Sequence, residues 1–260
     1  MKITISIYDK NNRLYYENTR ENEVTISFRG KYNPFDKVIL SCDTYPNYVR
    51  ITLDSCLAES ILYITKPMEF IVPFDNERKP YGENAFCGER HWGYAKYLKD
   101  EEYGNYVNLA LNSMDVNNNT GIYPHASSNV NTDNPQFYAR NIIDGIFETC
   151  NHGSWPHSSW GISRQKNAWI MIDFGCEVES NHIVIYLRAD FPHDNYFKEM
   201  MICFSNGEEI KLKLRKNGLG QSIRFPKKRI SWVCFKKMQQ EALPSEYPAI
   251  SQIEVWGNKL

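Results

Sequence analysis

Hydrophobic and polar residues alternate with a period of two along almost the whole chain, the mark of strands with one face on a core and one in solvent. In the first hundred residues, segments 3–8, 13–17, 23–28, 37–41, 48–53, 60–65 and 69–73 read as strands. Short polar turns separate them, such as Asp9-Lys10-Asn11-Asn12. Strands recurring at roughly 8–12 residues predict a sandwich. A polar stretch at 99–105 reads as a linker, and a second set follows at 169–174, 182–187, 200–204, 209–214, 222–225, 230–235 and 251–256. Before that set lies an irregular region, 113–164, rich in Asn, Ser, His, Gly and Pro, with a short helix expected near 139–143. The pattern predicts a mainly β chain of two tandem β-sandwich domains, 1–105 and 106–260.

Composition narrows the class. A chain of 260 residues has room for one large or two modest domains, and 42% hydrophobic with 23% charged residues excludes disorder. The aromatic share is 14%, which suits sheets or a surface that stacks on flat ligands. Thirty basic against 31 acidic residues leave no global charge to draw nucleic acid or an anionic membrane. No apolar run approaches the roughly 20 residues of a bilayer span. The opening Met1-Lys2-Ile3-Thr4-Ile5 alternates and does not resemble a secretory leader, so the default placement is cytoplasmic, or extracellular if the chain is a trimmed piece. Seven cysteines, odd in number and without a CxxC pair, read as buried free thiols, as with Cys203 and Cys234 inside strand-like runs.

One segment breaks the charge balance. Residues 195–237 carry 11 Lys or Arg and 3 Asp or Glu, a local net of +8. Solvated strand faces account for this, and so does a basic face for an anionic polymer or phosphate. Catalytic signatures such as GxSxG, HExxH or a phosphate-binding Gly loop do not occur. Two loops are dense in polar and aromatic groups instead. One holds His152, Trp155, His157 and Trp160; the other holds Arg188, Asp190, His193, Asp194, Asn195 and Tyr196. Sugars are held by this mixture, with an aromatic face on the C–H side of a pyranose and paired hydrogen bonds to its hydroxyls. A metal reading uses His152, His157, His193 and Asp194. A structural reading has the tryptophans plugging the end of the barrel. In the first half, His91, Trp92 and Tyr94 form another such concentration, most simply read as packing between domains.

From Asn108 to Gly257 the chain resembles the discoidin or coagulation-factor type C domains, and among them the family 32 carbohydrate-binding modules. The resemblance runs in order through Asn108-Leu-Ala-Leu, Ala126-Ser-Ser and the Asp144-Gly145 turn. It continues through Ala168-Trp-Ile-Met-Ile-Asp173-Phe-Gly175, the run ending at Arg188, and Ile253-Glu254-Val255-Trp256-Gly257. It implies an eight-stranded, galactose-binding-like jelly roll for this part and a lectin-like site. His157, with His152 competing for the role, Arg188 and Asn195 would grip the sugar, and Tyr247 would be the late aromatic that stacks on it. Trp155, Trp160, Asp190, His193 and Asp194 go beyond the family pattern. The resemblance also implies a structural calcium ion held by Asp144, Thr149 and Glu254. Residues 1–105 resemble no family clearly.

The expected function is non-catalytic binding of a mono- or oligosaccharide by the loops of the second half, with no nucleic-acid partner and no membrane span. The alternatives are an adaptor that holds a protein or anionic polymer, and a metal-assisted hydrolase or lyase built on His152, His157, His193 and Asp194. The residues do not specify an oligomeric state.

Overall fold

The fold was obtained as a computed structural model that describes residues 1–149, 155–189 and 195–260. His152, Asp190, His193 and Asp194, expected in the site, lie outside the described residues.

Seventeen strands follow one another along the described chain. The first eight are β1 (Lys2–Tyr8), β2 (Leu14–Glu21), β3 (Glu23–Arg29), β4 (Lys37–Cys42), β5 (Asn47–Thr52), β6 (Ser60–Ile64), β7 (Met68–Ile71) and β8 (Arg90–Tyr97). Three short strands come next: β9 (Val107–Asn108), β10 (Ile122–Tyr123) and β11 (His125–Ser128). The remainder are β12 (Trp160–Gly161), β13 (Ile170–Leu187), β14 (Phe197–Phe204), β15 (Glu209–Lys213), β16 (Gln221–Gln240) and β17 (Ala249–Lys259). All pairings are antiparallel. No described helix is long and apolar enough to cross a membrane.

In the first half, a four-stranded sheet in the order β2-β1-β4-β7 and a five-stranded sheet in the order β10-β6-β5-β8-β3 share one core. Alternation drives it: Ile3, Ile5 and Ile7 of β1 are all fully buried against Ile26, Val49, Ile51 and Leu62 of the facing sheet. Strand β8 escapes a reading by alternation because its inward positions are His91, Gly93, Ala95 and Tyr97, too small or too polar to register. Gly93 is required there, since a Cβ would sit 2.6 Å from the Thr52 carbonyl oxygen. His91 enters the core against Tyr32, their rings 4.3 Å apart, while Trp92 stays 53% exposed on the outer face and fills no interface.

The second half is one eight-stranded assembly around a separate core, of the jelly-roll kind. Its path runs β12-β17-β13-β16-β14-β15, with β11 on β13 and β9 on β17. The alternation of 170–187 and of 221–240 is interrupted, which suggests two strands in each. Both are single long strands with irregular pairing, β13 slipping against β16 between Asp173 and Val178 and again between Ser180 and His182. Gly175, at φ +71°, supplies the left-handed residue of the first slip. The expected helix near 139–143 is a 3-10 turn at Ala139–Ile142, and a second such turn lies at Pro135–Phe137.

The chain does not pass from one half to the other in a single step. Val107 and Asn108 pair with β17, yet Ile122 and Tyr123 return to pair with β6, and Met114 and Ile122 belong to the first core. Tyr48 of β5 and Cys176 of β13 also meet, oxygen to sulfur, at 2.9 Å.

Candidate functional site

At one end of the second assembly, Phe137, His157, Arg188 and Tyr247, together with Thr132 and Asn134, line a cleft of about 540 Å³. Each comes from a different piece of chain. Arg188 follows the last residue of β13, and its backbone N–H donates to the Ala249 carbonyl at 3.0 Å, so the end of the strand ladder fixes where the side chain starts. Phe137 sits on the 3-10 turn that opens with Asn134, whose side chain accepts from the Gln136 N–H. Tyr247 belongs to the loop that feeds β17.

The guanidinium of Arg188 lies 5.8 Å above the Phe137 ring, and its Nη1 is 3.5 Å from Nε2 of His157. The Phe137 and His157 rings meet edge to face at 5.8 Å. Arg188 and His157 are nearly buried, at 5% and 3% exposure, and form the floor. At the rim Tyr247 is 51% exposed, with the Arg164 guanidinium 4.9 Å from its ring centroid. Arg164 is itself held by Glu246, Nε to Oε2 at 2.8 Å. The result is a concave pocket with a planar, multi-donor cation below and an open aromatic face above. Such a pocket takes a small polar molecule with one apolar side.

The structure brings together His157, Arg188 and Tyr247 and gives other residues of the expected site different work. Asn195 is fully buried, and its amide donates to the carbonyls of Glu241 at 2.9 Å and Ser245 at 2.7 Å. It therefore positions the loop that carries Tyr247 and does not reach into the cleft. Tyr196 is half-buried and packs against the core, and its carbonyl accepts from the Glu241 N–H at 3.1 Å. Trp160 is a core residue whose indole N–H donates to the Ser128 hydroxyl at 3.0 Å, so it offers no stacking face. Trp155 is exposed but lines a different hollow. Phe137 went unread in the sequence, because nothing local distinguishes an aromatic in an Asn-Pro-Gln-Phe turn from ordinary filler.

Of the residues expected to hold calcium, Glu254 and Asp144 both have hydrogen-bond partners within the protein. Glu254 is engaged by the Trp256 indole N–H at 2.7 Å and by the Tyr186 hydroxyl at 3.5 Å. The side chain that reaches the Asp144-Gly145 turn is Gln252, whose Oε1 accepts from the Gly145 N–H at 3.3 Å. Asp144 is buried, with Oδ1 accepting from the Ile146 N–H at 2.8 Å. Burial pushes its carboxyl up to about 7, against the pull of the nearby Arg140 guanidinium. Gln252 thus uses its amide oxygen on the turn itself, and the Arg140 guanidinium lies near enough to favour the charged form of Asp144. Thr149 is buried near the end of the same segment. Among the described residues, no three His, Cys, Asp or Glu side chains gather to hold a metal, and of the set named for a metal enzyme only His157 is described.

The basic face is largely neutralised. Lys198, Lys211, Lys227, Lys228, Arg229 and Lys236 lie within ion-pair distance of Glu241, Glu199, Glu179, Glu208, Glu177 and Glu209 respectively. Carboxylates from neighbouring strands answer over half of the eleven cations counted along 195–237. That arrangement suits solvated strand surfaces better than a polyanion track.

The described residues thus form a β-rich, sandwich-like protein with a cleft at the loop end of its second assembly. No family model matches it, and no curated protein does. Part of the chain is similar in fold to solved carbohydrate-binding modules. A chitosan-binding module of a chitosanase/glucanase from Paenibacillus sp. IK-5 is 18% identical, with a TM-score of 0.41 over 58% of this chain and 99% of the module. A fucose-binding module from Streptococcus pneumoniae is also 18% identical, with a TM-score of 0.41 over 59% of this chain and 99% of that one. The family 32 module of NanJ from C. perfringens, solved with galactose, is 16% identical, with a TM-score of 0.39 over 50% of this chain and 91% of the module. These are likenesses of fold, and the chemistry of the cleft stands on its own side chains.

Proposed function

We propose that the protein binds carbohydrate without transforming it, through the cleft of Phe137, His157, Arg188 and Tyr247. The observation that carries this reading is the pairing of a nearly buried Arg188, set over Phe137 and beside His157, with the open ring of Tyr247 at the rim. A pyranose has one face of C–H groups and an edge of adjacent hydroxyls. Tyr247 answers the face, while the fork of Arg188 donates to two neighbouring oxygens and His157 adds a group that can donate or accept. No step of bond cleavage is called for, and the residues act as a binding floor.

Isothermal titration with galactose, fucose and chitotriose tests this. The expected result is saturable binding of at least one of them by the wild type, lost in Arg188→Ala and weakened about tenfold in Tyr247→Ala. Failure of the wild type to bind any of the three at millimolar concentration overturns it.

A further inference from the structure

A second and larger hollow, of about 860 Å³, opens on the other side of the cleft wall, between Trp155 and the loop after the 3-10 turn Asp75–Arg78. An inner lobe of about 210 Å³ continues from it toward Arg140 and Asp144, and the two spaces share Cys56, Tyr81, Gly82 and Trp155. Gln136 lines the second hollow and Phe137 the first, although they are successive residues of one turn. In the same way Trp155 faces the second and His157 the first.

Its lining is neither apolar nor of one charge. Trp155 is 46% exposed, and its ring edge rests on the bare backbone of Gly82, where a Cβ would sit 3.5 Å from Cζ2. That contact steadies the indole while leaving ring surface open to the hollow. At the rim Asp75 and Glu83 balance Arg78 and Lys79, and Asn84 and Gln136 add two amides. Balanced charge and amides select against a strongly anionic or cationic guest and favour a neutral one with many hydroxyls.

The floor of the inner lobe is polar. Arg140 and Asp144 both line it and are 5% and 4% exposed. Arg140 is anchored by a hydrogen bond from Nη2 to the Ser113 carbonyl at 3.1 Å and by its seat 4.6 Å from the Tyr81 ring centroid. Its Nε and Oδ2 of Asp144 are closed off from the lobe, with the Ser158 hydroxyl beside Asp144. The floor therefore sets the polarity of the space, and Asn84 and Gln136 in the outer hollow are the groups that a guest hydroxyl meets.

We propose that this hollow is a second glycan-binding site, in which a neutral sugar stacks on Trp155 and hydrogen-bonds Asn84 and Gln136. It extends the carbohydrate reading of the first cleft and makes the chain a two-site binder with the sites back to back.

The test uses the full chain with galactose, with fucose and with chitotriose, followed by calorimetry and by the indole N–H resonances, the Trp155 signal being identified by its loss in Trp155→Phe. The expected result is that one of these sugars shifts the Trp155 indole signal in the wild type and equally in Arg188→Ala. Trp155→Ala should weaken that binding phase about tenfold, with Trp155→Phe weakening it less. Asn84→Ala, at an exposed position, should weaken the same phase and spare the other. If a sugar binds through Arg188 while the Trp155 signal stays still and Trp155→Ala keeps the full stoichiometry, the second site is wrong and the first stands. A Trp155 response with no Arg188-dependent phase supports the second site and overturns the first. Binding of none of the three sugars overturns both.

Discussion

Asn195 and Ser245 are joined across 50 residues by a 2.7 Å hydrogen bond from the buried amide of one to the backbone carbonyl of the other. The same amide donates to Glu241, so a single side chain pins both ends of the short stretch that precedes Tyr247. Its Oδ1 accepts from the Tyr196 N–H at 2.7 Å. Removing it strands two half-buried carbonyls and the Tyr196 N–H, and Asn195→Ala should cost about 1–3 kcal/mol of stability in urea unfolding. The same variant should weaken glycan binding, because Tyr247 loses its footing. Tyr247→Ala should weaken binding with an unchanged unfolding midpoint, since the ring is exposed. An Asn195→Ala protein as stable as the wild type would refute the anchoring role.

Arg188 is held as a plane as well as a charge. Its guanidinium lies over Phe137 and reaches His157 from the edge, and a lysine ammonium can do only one of these at a time. Arg188→Lys should therefore bind glycan at least tenfold more weakly than the wild type in calorimetry, despite the retained charge. Recovery of wild-type affinity with lysine would mean that charge alone is read.

The strands were legible in the sequence because the buried residues of β1, β4 and β6 are large aliphatics at every second position. The reading failed where that signal was replaced. In β8 the inward positions hold His91, Gly93 and Ala95, and in β13 the pairing slips around Gly175 while the strand carries on. Within the site, His157 and Arg188 are visible as members of two loops dense in polar and aromatic groups, and Tyr247 only through the resemblance in segment order. The role of Asn195 depends on carbonyls 46 and 50 residues away, and that of Gln252 on a turn 107 residues away. Contacts of this kind are set by tertiary register, which local pattern does not carry.

Asp144 makes stability fall as pH rises. Its carboxyl stands at about 7 in the fold, chiefly because burial disfavours the charged form, whereas the unfolded chain ionises it near 4. Below about pH 4 the group is neutral in both states and costs nothing. Between about 4 and 7 the unfolded state has released the proton and the folded state still holds it, so stability drops across that window. Asp144→Asn keeps an acceptor for the Ile146 N–H and removes the titration. It should flatten the profile from pH 4 to 7 and gain on the order of 4 kcal/mol at pH 8, read by urea unfolding. Millimolar calcium should leave the wild-type midpoint unmoved, since Glu254 is taken up by Trp256 and Tyr186 and the Gln252 amide oxygen by the Gly145 N–H. A calcium-dependent rise that Asp144→Asn abolishes would overturn that part.

Lys259 gives the opposite slope in a different window. It lies 7% exposed at the junction of the two halves, its ammonium 5.7 Å from the Tyr48 ring centroid. Burial, then the nearby Arg50, pulls the amine down to about 8. In the unfolded chain a lysine titrates near 10.4. At pH below about 8 the amine is charged in both states, and the folded protein bears the full cost of a buried cation, roughly 3 kcal/mol. As pH rises from about 8 to 10.4 the folded state gives up its proton first, the unfolded state binds more protons, and stability climbs. Above that window both forms are neutral and the cost is gone. Lys259→Met keeps the stem that packs beside Tyr48 and Val178 and removes the charge. The variant should be more stable than the wild type at pH 7 by up to that amount, with the gap closing by about pH 10.5 in denaturant titrations at matched ionic strength. A wild type whose stability is flat between pH 8 and 10, with Lys259→Met no more stable at pH 7, would show that the ammonium is solvated or paired in the fold.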